Sequence, residues 1–188
     1  MRDLSLHLMD IVQNSISAKA NKIDIVIYAD KELDLMEFIV TDNGVGMEDS
    51  FLKNVTDPFT TTRLTRKVGL GIPLLEASAK RSCGGLIVSS KRFEGTSVKA
   101  TFKISHIDRL PLGDVTETII GLIVACSDIE YEMELRNSKD FFKFSTITIK
   151  NKLGDVPIIH FEVIKWIREY VNEGIKIIFG GVLDEISS

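Results

Sequence analysis

The sequence predicts an α+β protein: a two-layer α/β sandwich with helices on one face of a mixed sheet, followed by an αββα extension. Three observations predict it. Ile23, Ile25 and Ile27, and then Met36, Phe38 and Val40, alternate with their neighbours, so two nearby strands share one apolar face. The preceding segment repeats at helical spacing instead, with Asp3, His7, Asp10, Asn14, Ser17 and Asn21 at intervals of four and three. Beyond Ile104, a further strand is written in Ile129, Tyr131, Met133 and Leu135 alternating with Glu130, Glu132, Glu134 and Arg136.

Each element follows from these periods in order. A helix is expected over residues 4–20, its polar stripe opposed by Leu8, Ile11, Val12 and Ser15. Strands at 22–28 and 35–41 flank a turn at 31–34, and a short helix starts at Glu48. A helix over 70–81 presents Ile72, Leu75 and Ala79, with Pro73 tolerated in its first turn. Strands at 85–90 and 96–104 complete the first part, residues 1–105. In the second, residues 110–188, a connector ends in Asp114, a residue type suited to cap a helix over 115–126. The strand at 129–136 turns at 137–140 into a returning strand over 141–149. A helix over 159–172 carries Val163, Trp166, Ile167 and Tyr170, and Gly174 is expected to stop it.

Composition narrows the function classes. At 188 residues the chain can bury one good core, or one core with an appendage. Its 23 basic and 27 acidic residues leave no electrostatic footprint for nucleic acid outside one short stretch. The longest apolar run, residues 119–126, is too short to span a bilayer, and Asp3 and Asp10 interrupt any apolar leader. Cys83 and Cys126 have no metal-ligand spacing and read as reduced, buried and unreactive side chains of a cytoplasmic protein.

The chemistry concentrates in three places. Asp42-Asn43-Gly44-Val45-Gly46 closes a strand, so Asp42 leaves the sheet edge with a carboxylate able to accept from an exocyclic amine. Gly44 and Gly46 allow backbone to approach a flat ring, although the pentapeptide alone also reads as an ordinary tight turn. On the helical stripe, Asn14 offers a hard oxygen suited to Mg²⁺, and Asp10 lies one turn earlier, where it could orient or deprotonate a water. Downstream, Arg63, Arg66 and Lys67 crowd a polar stretch that leads into Gly69-Leu70-Gly71 at a helix start, a basic loop meeting backbone amides that favour phosphate.

Taken together these segments resemble the ATP-binding domain shared by histidine kinases, DNA gyrase B, the Hsp90 chaperone and MutL. Asp10-Ile-Val-Gln-Asn14-Ser-Ile-Ser-Ala18-Lys-Ala20 resembles the family's N box, and Asp42-Asn-Gly-Val-Gly46-Met its G1 box. Asp57-Pro-Phe-Thr-Thr-Thr-Arg63 looks like the F box, Val68-Gly-Leu-Gly71-Ile the G2 box, and Gly95-Thr96 opens a strand like the one that follows. The resemblance covers about Met1 to Ile104 and implies the Bergerat-type sandwich. It implies Asn14 as the Mg²⁺ ligand, Asp42 as partner of the adenine amine, Gly44 and Gly46 as the pocket floor, and Thr96 supporting the base through a water. Gly69, Leu70 and Gly71 fall at the phosphates, with Arg63, Arg66 or Lys67 at the terminal one.

Two departures bear on activity. The hydrolytic branch has Glu four residues before the metal-binding Asn, whereas this chain has Asp10, shorter by one methylene. The basic stretch is also short for a lid, with no Gly-Thr pair before Gly69. The phosphoacceptor helix of two-component kinases is not recognisable ahead of the N box, and His7 is followed by Leu8 rather than an acid. His106 and His160 read as ordinary surface or capping residues. The resemblance therefore implies Mg-ATP binding in signalling or regulation, with phosphate transfer in trans to a protein partner as in stand-alone anti-sigma-factor kinases. A nucleotide-gated interaction module and a slow MutL-like ATPase stand beside it. The second part, without a catalytic constellation, reads as packing or partner binding.

Overall fold

The computed structural model describes residues 2–57 and 70–180. Helix α1 (Leu4–Ser17) starts where the Asp3 carboxylate accepts from the Leu6 amide at 3.0 Å. It ends before the expected residue 20, because Lys19 turns left-handed at φ 61° and its amide reaches back to the Ile16 carbonyl. The chain then enters β1 (Lys22–Asp30) and returns in β2 (Leu35–Asp42). A short α2 (Asp49–Leu52) precedes α3 (Gly71–Arg81), β3 (Gly85–Lys91) and β4 (Gly95–Lys103).

The second part continues the same sheet. After α4 (Val115–Ala125), strand β5 (Glu130–Arg136) lies parallel to β1, and β6 (Phe141–Ser145) closes the edge in the order β3-β4-β2-β1-β5-β6. All other pairings are antiparallel, so the sheet is mixed, as expected. Register explains the core: Ile25 sits opposite Val40 on one side and Met133 on the other, while Val40 faces Val98. These side chains fall on one face of the pleat, which α1, α3, α4 and α6 cover. The connector holds both parts together, since Leu4 and Ser5 amides donate to the carbonyls of Pro111 and Leu112 at 3.0 and 2.9 Å. Arg109 is buried beside it and donates to the carbonyls of Ile104 and Leu110; burial lowers its pKa. Asp114 caps α4 as expected, accepting from the Glu117 amide at 2.8 Å.

Cys83 is exposed rather than buried, and the structure corrects three further sequence expectations. The returning strand stops at Ser145, whose hydroxyl accepts from the Thr148 amide and starts α5 (Thr146–Leu153); the β-branched run Thr146 to Ile149 is helical. Gly174 does not stop the last helix, α6 (Phe161–Phe179), but lies inside it. A Cβ there would stand 2.6 Å from the Phe142 ring, so this glycine is the seat on which β6 packs. His7 leaves the polar stripe: it is buried with Leu4, Leu8 and Ile11 against Phe38, Val40 and Leu75.

His7 is held neutral in that setting. Burial, reinforced by the positive amino terminus and Arg81 and opposed by Asp3, lowers its pKa to about 4. Its Nδ1 has no hydrogen-bond partner among the described residues.

Gly174→Ala is expected to destabilise by about 1–3 kcal/mol in urea unfolding, the reverse of its effect in an open helix. Trimming Phe142 to Leu in the same chain should recover part of that loss. The unfolded chain binds a proton on His7 that the folded chain refuses, so stability should fall as pH drops from 6.5 towards 4 and then level off. The full effect is about 3 kcal/mol. A His7→Leu chain whose urea midpoint falls just as steeply over that range would show that the slope lies elsewhere.

Candidate nucleotide site

The site is built where α1 meets the end of β2. Asp42 is the last residue of β2, in register with Ile23 on β1 and Thr96 on β4, and is 8% exposed. Ser15 Oγ donates to Asp42 Oδ2 at 2.6 Å, and the Gly44 amide donates to Oδ1 at 2.9 Å. A carboxylate has about four acceptor positions, so these two bonds orient it and leave capacity for an incoming donor. Beside it, Thr96 Oγ1 lies 2.9 Å from Ser90 Oγ, which itself donates to the Gly95 carbonyl and accepts from the Met47 amide.

The loop after Asp42 is clamped on three sides. Asn43 Oδ1 accepts from the Asn21 and Lys22 amides at 3.0 Å each. The Val45 amide donates to the Ala18 carbonyl at the end of α1, and the Phe93 amide donates to the Val45 carbonyl from the β3–β4 turn. Close approach makes glycine obligatory here. Gly46 has φ +63°, and a Cβ on it would lie 2.0 Å from the Lys91 carbonyl oxygen. A Cβ on Gly44 would meet the Ala18 carbonyl oxygen at 2.7 Å.

The described residues expected at the phosphates also converge. A Cβ on Gly71, the first residue of α3, would stand 3.4 Å from Asp10 Cβ and 3.5 Å from Asn14 Nδ2. The start of one helix thus abuts the half-buried polar side of the other. Leu70 precedes α3 and is 47% exposed, and no side chain among the described residues caps that helix start. Uncapped helix amides favour an anion. Arg63, Arg66, Lys67, Gly69 and the stretch likened to the F box lie outside the described residues.

Sequence reasoning overlooked two contributors. By spacing Ser15 falls on the apolar side of α1, yet it is the residue that fixes Asp42; its place directly after Asn14 is the available signal. Ser90 ties Thr96 to the loop from across the β3–β4 hairpin, which no local pattern shows. Among the described residues, no three His, Cys, Asp or Glu side chains form a candidate metal cluster, and no helix is long and apolar enough to cross a membrane.

A buried acid at a strand end, two glycines that admit only backbone, and a helix start set against the polar side of α1 stand together at one end of the sheet. The sequence model of the histidine kinase-, DNA gyrase B-, and HSP90-like ATPase family matches residues 2–106, and the chain belongs to that family. It is 28% identical over 103 residues to a putative sensor protein of Shewanella frigidimarina (strain NCIMB 400), covering 54% of this chain and 16% of that one. It is 26% identical over 106 residues to the sensor histidine kinase YxdK of Bacillus subtilis (strain 168), covering 53% of this chain and 32% of the relative. In both cases the match spans a minor part of the relative's length. A crystal structure of the N-terminal domain of a DNA repair protein shares the fold at a TM-score of 0.50 and 20% identity, covering 77% of this chain and 52% of that one.

Ser15→Ala should leave Asp42 Oδ2 buried without its partner and lower stability by about 1–3 kcal/mol in thermal unfolding at neutral pH. Unchanged stability would mean that the contact does not hold α1 to the sheet.

Proposed function

We propose that the chain binds ATP with Mg²⁺ in this site and uses it to phosphorylate a partner protein in trans. The observation that carries the reading is the buried, oriented Asp42 carboxylate with acceptor capacity to spare. In this reading Asp42 accepts from the adenine amine, and Thr96 supports the base with Ser90 behind it. The floor formed by Gly44 and Gly46 admits a ring because no side chain can stand there. Asn14 supplies an oxygen to a magnesium ion, which typically takes one or two protein ligands beside phosphates and waters. Asp10, next to Asn14 and Gly71, is placed to orient the attacking group or a water. The chemistry ATP would supply is a transferable phosphoryl group. Kinship with a protein named a sensor histidine kinase supports transfer over mere hydrolysis.

A second reading, nucleotide-gated binding without transfer, is favoured by Asp10 standing where the hydrolytic branch has Glu. A base set back by about an angstrom loses about 10²-fold in rate.

Incubating the protein with Mg²⁺ and γ-labelled ATP in extract of its own cells separates the readings. Label on a second protein is the expected result. Label in free phosphate would indicate an ATPase, and label remaining in ATP the gated module. Asp42→Asn should weaken nucleotide binding by about ten-fold or more, the cost of a lost charged hydrogen bond. Undiminished binding by that variant would overturn the pocket assignment.

A further inference from the structure

Helix α1 is held at both ends, by different parts of the chain. Towards its end it carries the nucleotide side chains: Asp10 and Asn14 beside Gly71, and Ser15 on Asp42. The Ala18 carbonyl then accepts from the Val45 amide at 2.9 Å. At its start, the connector to the second part is laid across the first turn. The Leu4 and Ser5 amides have no carbonyl of α1 within reach and donate instead to Pro111 and Leu112. The helix has 14 residues, a rod about 20 Å long that passes a displacement of one end to the other.

Gly113 makes that junction close. Its φ is +75°, and a Cβ on it would stand 2.5 Å from Asp3 Cγ and Oδ1 and 2.6 Å from Ser5 Oγ. These atoms are not loose side-chain tips. Asp3 Oδ1 accepts from the Leu6 amide at 3.0 Å and from Ser5 Oγ at 2.7 Å, so together they form the cap that starts α1. The next residue along, Asp114, caps α4. The leading helices of the two parts thus have their caps set on either side of one glycine. Upstream, the buried Arg109 fastens the same connector to the carbonyls of Ile104 and Leu110, which leaves the strap little room to yield.

We propose that Gly113 is a positioning residue for the nucleotide site, a role that rests on the Mg-ATP reading above. By letting the connector seat against the cap of α1, it sets where that helix stands along its axis, and so where Asn14 and Asp10 stand against Gly71. The second part of the chain thereby becomes a determinant of magnesium binding. Asp42 belongs to β2 and is held there by the Gly44 amide as well, so a shift of α1 acts on the magnesium side before the base.

Isothermal titration of the full chain with ATP, in Mg²⁺ and separately in EDTA, tests this. Gly113→Ala should weaken binding of Mg-ATP by about ten-fold, the usual cost of disturbing what orients a metal ligand. Binding of ATP in EDTA should change by less than about three-fold. Adding Asp3→Ala and Ser5→Ala to that variant removes the overlap and should restore Mg-ATP affinity, while the thermal midpoint stays low for want of the cap. Rescue of affinity without rescue of stability separates positioning from general weakening of the fold. A Gly113→Ala chain that binds Mg-ATP like the parent, a loss equal with and without Mg²⁺, or a loss that the triple variant keeps would each overturn the proposal alone. A parent that binds neither form would overturn the nucleotide reading with it. If Gly113→Ala does not fold, the parent suffices, because coupling is reciprocal: Mg-ATP should slow hydrogen exchange at the Leu4 and Ser5 amides by about ten-fold more than ATP in EDTA. Exchange there that ignores Mg-ATP would sink the proposal.

Discussion

The hydrogen bond from Ser15 to Asp42 joins helix α1 to the end of strand β2, and the geometry of the site depends on it. It sets the rotation of α1 about its own axis: once Ser15 points at the strand end, Asn14 and Asp10 must lie on the adjoining side, one helical turn apart. That side is where α3 begins, with Gly71 against both residues. The same bond orients the carboxylate that the neighbouring Gly44 amide also holds. One contact thus aligns the two halves of the pocket.

Around this contact the backbone is packed too closely for ordinary side chains. Gly95, at φ +106°, would place a Cβ 1.9 Å from the Asp42 carbonyl oxygen, so the β3–β4 hairpin is pressed directly onto the strand end. Ser90 on β3 bonds Thr96 across that hairpin and links the hairpin to Met47. Such a loop is rigid because its polar groups are satisfied by three different elements, which is the preorganisation a specific ligand site requires.

Most of the first part was legible because its signals are local. Alternation in Ile23 to Ile27 and Met36 to Val40 marks the strands, and the order of short polar residues and glycines marks the site. What escaped the sequence depends on contacts made across the fold. His7 fits a polar stripe by spacing, but α3 packs over it. The run Thr146 to Ile149 has the β-branched composition of a strand, yet a hydroxyl cap at Ser145 and burial of Ile149 turn it into a helix. Gly174 resembles a helix stop until Phe142 is seen resting on it. The pairing of β5 with β1 has no local trace at all.

That parallel pairing gives the chain a long wait during folding. Lys22 meets Glu130 across roughly a hundred residues, so β1 has a neighbour on one side only until most of the chain is available. A fragment ending with the family match at residue 106 would leave β1 as an open edge carrying Ile23, Ile25 and Ile27. Unpaired edges of that kind recruit strands from other molecules. Strand β5 covers this edge and β6 closes the sheet beyond it, so the segment outside the family match keeps β1 from standing open.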